Sequence, residues 1–245
     1  MRTSYRLIPL LALVAAAARA DEPPKLKNLK YFPKTITRDA LIQRMREFSF
    51  ALGVRCQHCH AGPENDSLAN VDFASDEKTP KVQARAMLRM VDALNGEILA
   101  KLPGRHVPPV KMDCVICHRG LPVPKTLETE LTDVVDTKGV PAAVARYREL
   151  RKDQMILGRW SFDEWTMNEL ARSLAAAGKA DAAIAMLELN AEFYPASADI
   201  DLQLGDLHRA RGERDQAIAR YKSALAKRPE STLAAKRLEE LEKKP

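Results

Sequence analysis

Apolar side chains along this chain recur every three to four residues, and no stretch alternates apolar and polar positions for long enough to read as a strand. Leu41, Met45, Phe48 and Leu52 form one stripe over residues 37–52, with Gly53 placed to end the helix. Thr79-Pro80 announces a second helix, as an N-cap followed by proline in the first turn, and Met87, Val91, Leu94 and Ile98 mark its apolar face. Residues 61–79 are polar and rich in turn formers, a loop long enough to expect a function of its own. Beyond residue 118, "RGLPVPKTLETEL" has two prolines in quick succession and reads as a linker, placed at 126–139.

In the second half the pattern repeats. Leu170-Ala171 and Leu204-Gly205 are 34 residues apart, as are Gly178 and Gly212, Ala183-Ile184 and Ala217-Ile218, and Pro195 and Pro229. A 34-residue unit of helix, turn, helix and closing proline resembles the tetratricopeptide repeat, in which small residues let paired helices pack closely. Ser161 and Glu164 read as a capping box opening the first repeat. Helices near 141–151 and 231–243 are expected to shield the two ends.

The first twenty residues have the pattern of an export signal. Arg2 and Arg6 precede the apolar run "LIPLLALVAAAA", and Ala18-Arg19-Ala20 is a small-x-small cleavage site. The run is too short to span a bilayer, and no later stretch approaches it, so the mature chain is expected to be soluble with no transmembrane segment. No cysteine lies at the cleavage point, which removes lipid anchoring. The expected location is the periplasm, an oxidising compartment.

Net charge is +6 over the whole sequence; residues 21–125 carry +5 and residues 126–245 carry −2. That is too mild a basic excess for nucleic acid, which takes a denser patch. The two halves read as different modules.

The four cysteines form two copies of one motif, "CQHCH" at 56–60 and "CVICH" at 114–118. Cysteines three apart sit one helical turn apart on the same side. Cys56 and Cys59, and Cys114 and Cys117, are therefore spaced to form thioethers with the two vinyl groups of one haem each. His60 and His118 follow at the position that reaches the iron as proximal ligand. A four-cysteine zinc site or two local disulfides would leave both histidines unexplained. For the far side of the first iron, Met45 lies upstream on an amphipathic helix. On spacing alone it is either a thioether ligand or one more core side chain.

The stretches "MREFSFALGVRCQHCH", "DEKTPKVQARAMLRMVDALN" and "CVICHRG" resemble the cytochrome c subunit of photosynthetic reaction centres and the non-photosynthetic proteins that share its haem module. The resemblance covers about residues 26–125. It implies Met45 as the sixth ligand opposite His60, and Met87 as the sixth ligand opposite His118, with His106 and Met90 as rivals to Met87. Two motifs amount to half of the family's four-haem unit, which sets the chain apart from a complete reaction-centre subunit. The stretch between the Asn95 region and Cys114 also looks longer than the family's.

The expected architecture is mainly α: a signal peptide over 1–20, a multihaem cytochrome c module with little regular sheet over 22–125, the linker, and a tetratricopeptide-like helical hairpin array over 140–245. Two covalently bound haem c groups are the expected cofactors. The expected function is transfer of single electrons between redox protein partners, with the repeats docking a protein and no catalytic residue required. Two alternatives stand beside it: a dihaem peroxidase-like enzyme with one open haem face, and an interaction protein that senses redox state. His58 is expected at solvent or a haem edge, His208 on the surface, and Trp160 and Trp165 between helices.

Overall fold

The computed structural model describes residues 25–63, 67–104, 110–152 and 158–243. The expected signal peptide and His106 lie outside the described residues, among which there are ten α-helices and no named strand. An isolated antiparallel bridge between Ala61 and Asp72 closes the long loop. No helix among the described residues is long and apolar enough to cross a membrane.

The N-terminal unit is built from three helices. Helix α1, Arg38–Leu52, starts where Thr37 Oγ1 accepts from the Ala40 N–H and stops at Gly53 in the left-handed region, φ 67°. Only glycine suits that stop, because a Cβ there would lie 2.3 Å from the Gly120 carbonyl oxygen. Helix α2, Thr79–Ala93, begins one residue earlier than Thr79-Pro80 suggested: Lys78 is the N-cap, and Thr79 lies inside the first turn. Proline fits there because the first N–H groups of a helix have no intrahelical partner. Past Ala93 the chain widens into a π-helical turn, Leu94–Ile98, then tightens into a 3₁₀ turn, Leu99–Lys101. Helix α3, Cys114–His118, is a short one; the Asp113 carboxylate caps it by accepting from the Cys114 N–H.

The segment read as a linker is a correction. Residues Leu127–Lys138 form helix α4, with Thr126 as N-cap, and Leu127 and Leu131 are fully buried. Helix α5, Val140–Lys152, follows with Ala143, Tyr147 and Leu150 inward. Both join the same core as the helices after them. Apolar positions at 127, 131, 134 and 135 supply a helical face that drives this burial.

The remaining helices repeat. Helices α6, Glu164–Ala176, and α7, Ala180–Phe193, recur 34 residues later as α8, Ala198–Ala210, and α9, Arg214–Lys227, in all four boundaries. Helix α10, Thr232–Glu242, begins 34 residues after α8. Gly178 and Gly212 turn each hairpin at the same φ of 76°. At Gly205 a Cβ would lie 2.5 Å from the Tyr221 ring, so this ring of α9 packs directly on the α8 backbone. The N-cap of α6 is Asp163, whose carboxylate accepts from the Thr166 N–H, and not Ser161, which bonds to Asp163 instead.

Three single residues depart from or refine expectation. Trp160 does pack against the core, but Trp165 is 64% exposed with the Arg172 guanidinium 4.7 Å over its ring. His208 is not a free surface side chain. It is largely buried, and its Nδ1 pairs with Glu213 at 2.6 Å across the α8–α9 turn.

Candidate metal centre

The two cysteine motifs lie in the part of the molecule that lacks a core. Before Leu127 the buried apolar side chains among the described residues are Ala51 and Leu88; all others lie at Leu127 or beyond. Large exposed apolar side chains run the other way, with Phe50, Phe73, Met87, Ile98 and Ile116 in the first unit against Trp165, Phe193 and Leu233 in the second. Helix α2 therefore leaves Val82, Met87 and Met90 open, and the α1 stripe of Leu41, Met45, Phe48 and Leu52 is only half-buried.

At the first motif, residues Cys56–His58 form a 3₁₀ turn, and the Cys59 and His60 N–H groups both donate to the Cys56 carbonyl, at 3.2 and 3.0 Å. Both cysteines are half-buried thiols. Burial, and then the neighbouring Cys56, push the Cys59 thiol up. The His60 ring packs 5.0 Å from the Phe73 ring, and its Nδ1 is buried with no hydrogen-bond partner. Burial, reinforced by the Lys81 charge, holds His60 below its ordinary pKa and so in the neutral form that ligates metals.

Helix α2 clasps this motif with its first turn. Lys78 Nζ donates to the Gln57 carbonyl at 2.6 Å, and Lys81 Nζ donates to the carbonyls of Phe73 at 2.8 Å and Ser75 at 2.6 Å. Asp76 gathers Lys30 at 2.7 Å, Arg85 at 2.8 Å and the Asn28 amide at 2.7 Å, and these partners, Lys30 first, hold its carboxyl well below the usual range.

The second motif rests on α1. The Gly120 N–H donates to the Ala51 carbonyl at 2.8 Å, and α3 packs along α1. His118 Nδ1 lies 2.8 Å from the Leu121 carbonyl. A carbonyl only accepts, so the Nδ1 carries the proton and Nε2 keeps its lone pair for a metal. Upstream, the Asn95 side chain grips both backbone groups of Met112, accepting from its N–H at 2.7 Å and donating to its carbonyl at 2.9 Å. The π-helical turn places Asn95 for this grip, a common use of such turns near functional sites. Nothing in the sequence pattern marked Asn95, Leu121 or Phe73, because each acts through a backbone group or a ring contact.

Of the expected distal ligands, Met45 is half-buried on α1, while Met87 and Met90 are both open on α2, at 43% and 45% exposure. The four cysteines are unpaired thiols, and no three Cys, His, Asp or Glu side chains converge into a metal site among the described residues. The two pairs thus do not form one zinc centre. Each is local, with its own histidine, beside uncovered apolar faces. That donor set fits a large, flat, mostly apolar group attached at two sulfurs and ligated by one imidazole, which is haem c.

Residues 56–158 match the family described as photosynthetic reaction centre cytochrome C subunit. This region begins at Cys56 and extends through α4 and α5, further than the motifs alone marked. The chain is also similar to cytochrome c-554 of Chloroflexus aurantiacus, with 35% identity over 107 residues, covering 38% of this chain and 22% of that protein. The chain thus spans about a fifth of the length of the curated relative it matches.

Proposed function

Since residues 56–158 match the family of the photosynthetic reaction centre cytochrome C subunit, we propose that the chain is an exported dihaem c-type cytochrome that carries single electrons between protein partners. One observation carries the reading: two complete Cys-x-x-Cys-His motifs lie in a unit whose described residues bury only Ala51 and Leu88 as apolar side chains. A folded unit of this size normally buries most of its large apolar side chains, so a bound group is needed to complete it.

Haem, when bound, supplies an iron that gains and loses one electron without rearranging its ligands. The chain supplies the rest. Cys56 and Cys59, and Cys114 and Cys117, would hold the two groups covalently; His60 and His118 would each ligate an iron, and Met45 and Met87 would supply the remaining ligands, which would keep substrate from both irons. The Leu121 carbonyl fixes the tautomer of His118, whereas His60 Nδ1 has no such partner. A bonded imidazole is the stronger donor and favours the oxidised metal, so the Leu121 contact would lower the potential of the His118 site. The expected location is the periplasm, and the partners are redox proteins.

The helical array docks one of those partners. Its support is the open Trp165–Arg172 pair on α6, residue types that anchor protein interfaces. An optical redox titration of the purified protein tests the carrier reading. Two low-spin one-electron centres with a sulfur-to-iron band in the oxidised form support it. A high-spin component that reacts rapidly with peroxide overturns it in favour of an enzyme.

A further inference from the structure

The turn that follows His118 is held from outside by a residue of the second half of the chain. Arg119 sits in the left-handed region at φ 47°, a conformation that L side chains disfavour and that neighbours must impose. Inside the turn, the Arg119 N–H donates to Val115 O at 3.0 Å and the Leu121 N–H to His118 O at 2.9 Å. From outside come two clasps. One is the Gly120 N–H bond to Ala51 O, and the other is Arg159 Nε, which donates to the Arg119 carbonyl at 3.1 Å. Arg119 Nη1 returns a long bond to Gly158 O at 3.4 Å.

The segment around Arg159 is itself fixed to the helical array. Trp160 and Phe162 pack on the core. The Phe162 carbonyl accepts from Tyr194 Oη at 2.6 Å and from Arg151 at 3.2 Å. A rigid path therefore runs from α5 and α7 through residues 158–162 to the Arg119 peptide, two residues from the carbonyl that bonds His118. The His60 turn is held differently, by Lys78 at the N-cap of α2, which donates to the Gln57 carbonyl.

We propose that Arg159 is a positioning residue for the second haem site: by holding the Arg119 carbonyl it fixes the left-handed turn that aims the Leu121 carbonyl at His118 Nδ1, and so ties the helical array to the reduction potential of that haem. The proposal rests on the dihaem reading above. A displaced turn weakens the Nδ1–H···O bond, makes His118 a poorer donor and raises the potential of its iron. Loss of the arginine charge alone acts in the opposite sense, because a nearby cation favours the reduced metal. By linkage, a partner that shifts residues 158–162 on binding the array changes the same potential, and reduction changes that partner's affinity by the same factor.

The test uses the full-length haem-loaded protein and the variants Arg159→Ala and Arg159→Lys. Covalent haem per chain and helix content are measured first, then each haem is titrated optically, with paramagnetic NMR of the His118 ring assigning the second site. Arg159→Ala is expected to raise the His118 site's potential by at least a threefold change in its oxidised-to-reduced ratio, about 28 mV at 59 mV per tenfold. The His60 site should stay as in wild type, and Arg159→Lys, which keeps a donor and the charge, should recover most of the shift. Unchanged potentials, a fall at the second site, or an equal shift at both sites would each overturn the proposal. A wild-type chain without haem removes its premise, and that result is read separately from any variant.

Discussion

Gly53→Ala tests the contact on which both motifs depend. At φ 67° an alanine pays the left-handed cost of roughly 1–2 kcal/mol. Its Cβ would also lie 2.3 Å from Gly120 O and 3.0 Å from the Gly120 carbonyl carbon, which are backbone atoms that cannot rotate away. Forced repacking of that kind costs roughly 1–3 kcal/mol, while the stiffer unfolded chain returns roughly 0.4–1 kcal/mol. The net destabilisation is about 1–5 kcal/mol, centred near 3. Gly178→Ala is the control: it has nearly the same φ, 76°, and nothing within 4 Å of its Cβ, so it costs only about 1 kcal/mol. Urea unfolding followed by far-ultraviolet circular dichroism measures both, with an unchanged m-value confirming that the denatured state is the same. If Gly53→Ala falls within about 0.5 kcal/mol of Gly178→Ala, the α1–Gly120 clasp is not tight and the reasoning fails.

Met45→Leu conserves volume, so the fold should hold while one haem loses its sulfur-to-iron band and drops in potential; an unchanged oxidised spectrum would remove Met45 from the ligand set. Met87→Leu should do the same at the other haem and Met90→Leu should not, as absorption spectra of the two variants will show. The Tyr31 hydroxyl, desolvated and donating to Asp92 Oδ2 at 2.7 Å, has its pKa pushed up to about 12 from 10.0. The folded protein therefore holds that proton when the unfolded chain has lost it, so stability falls as pH rises from about 10 to about 12. Tyr31→Phe should flatten that part of the pH–stability curve, and an identical slope in both proteins would contradict the assignment.

Helix positions and the two Cys-x-x-Cys-His motifs are legible in the sequence because both are local. Thr37 and Gly53 bracket α1 as their residue types dictate, and the 34-residue period in Gly178 and Gly212 reappears in the boundaries of four helices. Helix α4 was missed although Leu127, Leu131, Val134 and Val135 form its face, because Pro122 and Pro124 just before it dominate the local reading. The Thr79-Pro80 signal points one position off because proline suits any place in a first turn. Periodicity marks the stripe through Met87 and Ile98 as apolar but says only that a face must be covered and not by what; here protein leaves those two side chains open. The Leu121 carbonyl at His118, the Asn95 grip on Met112 and the Arg159 clasp on Arg119 join backbone groups across 3, 17 and 40 residues, and no side-chain pattern encodes them.

The most direct measurement is the number of covalently attached haems, taken from the intact mass and the alkaline pyridine spectrum of protein made in a host with c-type haem maturation. Two haems per chain that survive denaturation, falling to one when Cys114 and Cys117 are both replaced by serine, is the result expected here. A colourless chain, or haem that washes out on unfolding, would contradict it.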